Sequence, residues 1–222
     1  MIYRKNNLLD IDEYTYHFSG GTQPMRDRVS MWFRFYNYNF GFKFNEVEAN
    51  GFIRIIFSDE FNSSSYTGKD LFLLQDINEI PWTMNIEPRR FDRSDEEADI
   101  TIIHEIGHTI GVEHEHIHPD NFHNTNWGIV LEHLRNSGYT EEQLELLQNG
   151  PNFESYCWTP EFNPRAMMGY HVNCDHTLSG RNCGHSNRDM EIREVQEFYE
   201  ALKSPYRSCL LTSNDWLETQ VI

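Results

Sequence analysis

Eleven consecutive residues, His104-Glu105-Ile106-Gly107-His108-Thr109-Ile110-Gly111-Val112-Glu113-His114, read H-E-x-x-H-x-x-G-x-x-H without a mismatch. Two histidines four apart on a helix project from one face and can share one metal ion. Gly111 lets the chain leave the helix and turn back, so that His114 can supply a third nitrogen. Three imidazoles suit Zn2+ and leave a position open for water, as in a catalytic rather than a structural zinc site. Glu105 stands beside the first ligand, where a general base for that water is needed.

A helix must carry this group, and its start is legible. Ser94 reads as an N-cap with Glu97 three residues on, and Asp95 and Glu96 suit the positive end of the helix dipole. Ala98, Ile102, Ile103, Ile106 and Ile110 form the apolar stripe, which predicts a helix from about Asp95 to about Ile110, closing at Gly111. Upstream the chain reads as strand-rich. Val29, Met31, Phe33 and Phe35 alternate with polar or larger neighbours, as in a half-buried strand. The run Phe52 to Phe57 reads as a central strand, Asn62 to Ser65 as a loop, and Leu71 to Leu74 as a short strand. Thr83 to Ile86, between Pro81 and Pro88, reads as an edge strand.

Downstream, helices and loops are expected. Trp127, Val130, Leu131 and Leu134 repeat at helical spacing before Gly138. Thr140 and Gln143 form a capping box ahead of Leu144 and Leu147, with Gly150 at the exit. Pro151 to Asn187 has little periodicity. A last helix opens at Ser186, with Ile192, Val195, Tyr199 and Leu202 inward, and stops at Pro205. His116, His118 and His123 crowd the region after the metal motif and read as solvated loop residues.

The bulk properties bound the partners. A formal net charge of −17 disfavours nucleic acid and anionic membrane surfaces. No apolar run is long enough to span a membrane. Met1 to Asp12 is polar and carries no apolar secretory stretch, so either export does not use that route or a signal was removed beforehand. Secretion is the leading expectation for compartment, and no oligomeric state is assigned. Cys157, Cys174, Cys183 and Cys209 allow two disulfides, free thiols, or a second metal site built on Cys174-Asp175-His176 and Cys183-Gly184-His185.

The three-histidine motif is that of the metzincin clan of zinc endopeptidases, and Ala166-Met167-Met168-Gly169-Tyr170 resembles the clan's methionine turn, with Met168 as the methionine. Within the clan the chain most resembles the astacin family, on its fungal and bacterial side. Glu115 follows the third histidine as in astacins, and Tyr170 stands two after the methionine. His116, Pro119, Trp127, Ile53-Arg54-Ile55, Ser65-Tyr66-Thr67-Gly68, Thr83-Met84-Asn85 and Asp189 are also similar, so the resemblance covers about residues 50 to 202. Ala166 departs from the family's serine, and the cysteines do not bracket the motif as in animal members. Phe18-Ser19-Gly20-Gly21 matches the family's inhibitory F-x-G-D only in part and lacks the aspartate.

The resemblance implies an α+β fold, a metzincin-type zincin domain. A strand-rich N-terminal lobe with the zinc helix (about 1–114) and a helix and loop C-terminal lobe (about 115–222) would form a single catalytic domain. It implies a metalloprotease that hydrolyses peptide bonds in a protein or peptide substrate. His104, His108 and His114 would hold Zn2+, Glu105 would be general base toward the zinc-bound water, and Tyr170 would stabilise the oxyanion. The clan's substrate-binding edge strand just precedes the metal helix, which selects Trp82, Thr83, Met84, Asn85 and Ile86. The competing expectation is a catalytically silent zinc-binding module, an adhesin or decoy, on the same fold.

Overall fold

The structure is a computed structural model, and it describes residues 2–4, 7–9, 13–74, 81–158, 162, 168–169 and 174–179. In chain order the strands are β1 (Ile2–Arg4), β2 (Glu13–Ser19), β3 (Lys43–Glu46), β4 (Ile53–Ile56), β5 (Ser64–Ser65), β6 (Met84–Asn85), β7 (Val112–Glu113) and β8 (Tyr156–Trp158). The α-helices are α1 (Gln23–Phe40), α2 (Asp70–Leu73), α3 (Arg89–Arg93), α4 (Asp95–Ile110), α5 (Pro119–Asn124), α6 (Trp127–Asn136) and α7 (Glu141–Asn149). The chain divides into two compact units, one of residues 6–112 and one of residues 1–5 with 113–222.

The first unit is built on a sheet of order β3-β2-β4-β6-β5, parallel except for β5. β4 lies at its centre, as the β-branched run of residues 52–57 predicts, and Ile53 and Ile55 are fully buried. β2 carries Phe18-Ser19 at its end, and Phe18 packs against Tyr16 and Phe57. Helix α1 covers the sheet with Phe33, whose ring stacks on Tyr16 at 4.3 Å and meets Phe44 at 5.0 Å. Asp99 joins α1 to α4, accepting from Arg28 Nε at 2.7 Å and from Trp32 Nε1 at 2.6 Å.

The structure departs from four local expectations. Residues 29–35 are helix, not strand: Val29, Phe33 and Tyr36 are the fully buried apolar positions, at spacings of four and three, and Met31 is exposed. Aromatic residues on every side of α1 mimic an alternating pattern, whereas Pro24 in the first turn and the left-handed Gly41 at the C-cap are its true signals. Residues 71–74 lie in and just after α2, with Leu71 buried. Ser64 and Ser65 form β5 instead of a loop. The segment Trp82, Thr83, Met84, Asn85, Ile86 is not the sheet edge, because β6 is flanked by β4 on one side and β5 on the other. Thr83 to Ile86 are fully buried.

In the second unit, β1 pairs antiparallel with β8 in a three-stranded sheet of order β7-β1-β8. α6 and α7 form where expected. Thr140 accepts from Gln143 N while the Gln143 side chain accepts from Thr140 N, so the capping box is complete. Phe122 meets Trp127 and Phe153 at 4.9 and 5.3 Å. The expected last helix, from Ser186 onward, lies outside the described residues. No helix among them is long and apolar enough to cross a membrane.

Candidate active site

Helix α4 runs over the residues its sequence predicts. Ser94 is extended, and its Oγ accepts from Glu97 N at 3.0 Å, while the Glu97 carboxylate pairs with Arg93. From Ile102 to Ile110 every side chain is buried, which places two histidines and a glutamate in the core of the first unit. Gly111 ends the helix in the left-handed region at φ 108°, and a Cβ there would lie 2.7 Å from Leu8 Cα. Only glycine combines that torsion with that approach.

His104, His108 and His114 each offer one ring nitrogen, and the three atoms lie within 4.8 Å of one another. The His104 and His108 rings stand 4.7 Å apart and nearly perpendicular. His108 Nδ1 is 2.8 Å from Val112 O. A carbonyl can only accept, so Nδ1 carries the proton and Nε2 is the lone-pair donor. Three imidazoles of this kind form a donor set that fits Zn2+.

Glu105 is buried, and its Oε2 has no hydrogen-bond partner among the described residues. Burial pushes its carboxyl up to about 8, against an opposing pull from Arg90. A buried carboxylate in this condition is stabilised by a nearby cation, a second point of fit to a metal ion.

His114 opens a short 3-10 turn, Glu115–Ile117, and Glu115 is fully buried. Glu115 N donates to Met168 O at 2.9 Å, so the buried Met168 is tied to the residue that follows the third histidine. Tyr170 lies outside the described residues, as do Ala166 and Met167. The three nearby histidines separate: His123 is exposed, His116 half-buried, and His118 buried. His118 caps α5, its Nδ1 accepting from Asp120 N at 3.2 Å, so it is a structural residue and not a solvated one. Cys174 is disulfide-bonded, which withdraws its sulfur as a thiolate ligand for a second metal.

Two features near α4 are not announced by the motif. β5 is the terminal strand of the sheet, with Ser64 opposite Asn85 and Ser65 opposite Met84. It is joined to α4 by Ser65 Oγ, 2.9 Å from Thr109 Oγ1, and three residues further on Gly68 N donates to His108 O at 2.9 Å. The loop before β5 is held by Asn85, whose Nδ2 donates to Ser58, Phe61 and Asn62 carbonyls and whose Oδ1 accepts from Ser58 N. The similarity of Ser65-Tyr66-Thr67-Gly68 to a known family was the available signal for this segment, but two serines carry no strand pattern.

The fold is α+β, as the family resemblance implies, and solved structures share it. One structure of myroilysin matches with a TM-score of 0.74 and 23% identity, over 92% of this chain and 98% of that one. A second, a crystal structure of myroilysin, matches with a TM-score of 0.59 and 24% identity, over 89% and 86%. A third is high choriolytic enzyme 1, a hatching enzyme zinc-protease from the medaka fish Oryzias latipes. It matches with a TM-score of 0.48 and 14% identity, over 90% and 92%. The likeness in fold rests on the first two. No protein-family model matches the chain, and no curated protein does.

Proposed function

We propose that the chain is a zinc-dependent endopeptidase of the astacin type, a single catalytic domain acting on extended protein or peptide substrates. The observation that carries this reading is the gathering of three imidazole nitrogens within 4.8 Å. It is joined to a buried carboxylate, Glu105, on the same helix. A purely structural zinc site has no use for that carboxylate.

His104, His108 and His114 would hold the ion as neutral imidazoles. Zn2+ in such a set supplies Lewis acidity, enough to bring water's pKa to about 7 and to polarise a carbonyl. Glu105 Oε2 takes the proton of the attacking water and later returns it to the leaving amine nitrogen. The Val112 carbonyl keeps the His108 ring in the tautomer that presents Nε2. By the family resemblance, the Tyr170 hydroxyl donates to the oxyanion of the tetrahedral intermediate.

A peptide is held by strand addition along the open side of β5, the terminal strand, in place of the 82–86 segment. The disulfide at Cys174 supports an oxidising, extracellular destination.

Incubation with casein tests the reading. Cleavage should be abolished by a chelator and restored by adding Zn2+. Chelator-insensitive cleavage contradicts the mechanism. One bound zinc per chain with no cleavage across a broad substrate panel would instead identify a silent zinc-binding module.

A further inference from the structure

Thr109 follows His108 on α4, is fully buried, and has one hydroxyl proton to give. Its Oγ1 lies 3.1 Å from Glu105 O and 2.9 Å from Ser65 Oγ. Each hydroxyl has one proton and one carbonyl acceptor, Glu105 O for Thr109 and Tyr66 O for Ser65, so either can be the donor in the contact between them. The result is a hydroxyl bridge that runs from Ser65 Oγ through Thr109 Oγ1 to the Glu105 carbonyl. It joins the terminal strand of the sheet to the peptide unit of the residue read above as general base.

β5 is two residues long, and it pairs with a strand of two residues. So short a ladder defines its own height and register weakly. Yet a peptide added to β5 takes its register from that backbone, and its scissile bond must then meet a base carried by a different element. Reactivity falls steeply when such groups are misplaced by even an ångström. The bond from Ser65 to Thr109 spans that gap, and the bond from Gly68 N to His108 O stands beside it.

We propose that Ser65 and Thr109 are positioning residues that lock the substrate-accepting strand to the helix of the general base. This inference rests on the endopeptidase reading and on strand addition at β5. The lock contributes alignment more than stability, since the Ser65 hydroxyl without Thr109 still reaches Tyr66 O, 3.1 Å away.

The test uses the full zinc-loaded chain and a fluorogenic peptide taken from the casein bond that the wild type cuts best. Thr109→Val and Ser65→Ala should each lower kcat about tenfold. KM should change less than kcat, and zinc content and Tm should stay close to wild type. The double variant should fall no further than either single, because one bond is lost in all three. Thr109→Ser keeps the hydroxyl and should retain wild-type kcat. Mass spectrometry of casein digests should show scattered cut sites for Thr109→Val where the wild type gives a narrow set.

The inference is overturned if Thr109→Val stays within twofold of wild type, if the two single losses multiply in the double variant, or if Thr109→Ser is as slow as Thr109→Val. A wild type that cuts nothing removes the endopeptidase reading and this inference together. A wild type that cuts, with unaffected variants, removes only this one.

Discussion

The metal helix and the sheet edge beside it were assembled by opposite means. In α4 each decision is local. Ser94 caps its own third residue, the isoleucine stripe repeats at helical spacing, and Gly111 closes the helix within one turn of His108. At the edge, β5 is defined by partners far away in sequence. Ser64 and Ser65 pair with residues 84 and 85, and one buried amide, Asn85, holds three carbonyls of the loop before them. Chemistry that depends on a fixed ligand spacing is written in a short word. The surface that would receive a substrate is written across the unit.

Substitutions in the two regions should therefore fail differently. The largest effect is expected from Gly111→Ala, which forces a Cβ into the left-handed region and against the backbone of residues 7 and 8. A loss of about 4 kcal/mol is expected from torsional strain and overlap together. Urea unfolding would measure it, and zinc affinity should drop as well because His114 follows this turn. A stability within 1 kcal/mol of wild type would contradict the reading of Gly111.

Asn85→Ala comes next. It removes a buried amide that serves three carbonyls and one N–H, so about 3 kcal/mol should be lost. Zinc affinity should not change, while KM for casein-derived peptides rises. Weakened zinc binding in this variant would blur the distinction between the two regions. Ser94→Ala is the smallest change, about 1 kcal/mol from the lost cap, with zinc content and kcat unaltered.

The sequence legibility follows the same line. The ends of α4, its buried face, the capping box of α7 and the central position of β4 all rest on patterns within some twenty residues, and all were readable. The sequence of α1 mimics a strand because Trp32, Phe33, Phe35 and Tyr36 fit both a two-residue and a 3.6-residue period. The edge is hidden in the sequence because Pro81 and Pro88 suggest an unpaired strand, whereas the strand that covers β6 is made of two serines. At the site itself, the grouping of the three histidines was legible from spacing. The tautomer of His108, the capping role of His118 and the Ser65–Thr109 contact were not, since each depends on where a side chain meets a distant or turning backbone.

The claim that joins these observations is that Glu105 moves the proton while the three histidines hold the metal. Glu105→Gln separates the two functions, because it keeps the shape of the side chain and removes its basicity. Zinc content and casein hydrolysis should be measured on one preparation of that variant. One zinc per chain is expected, as in the wild type, with a fall in kcat of at least about a thousandfold. Undiminished hydrolysis with zinc bound would contradict it.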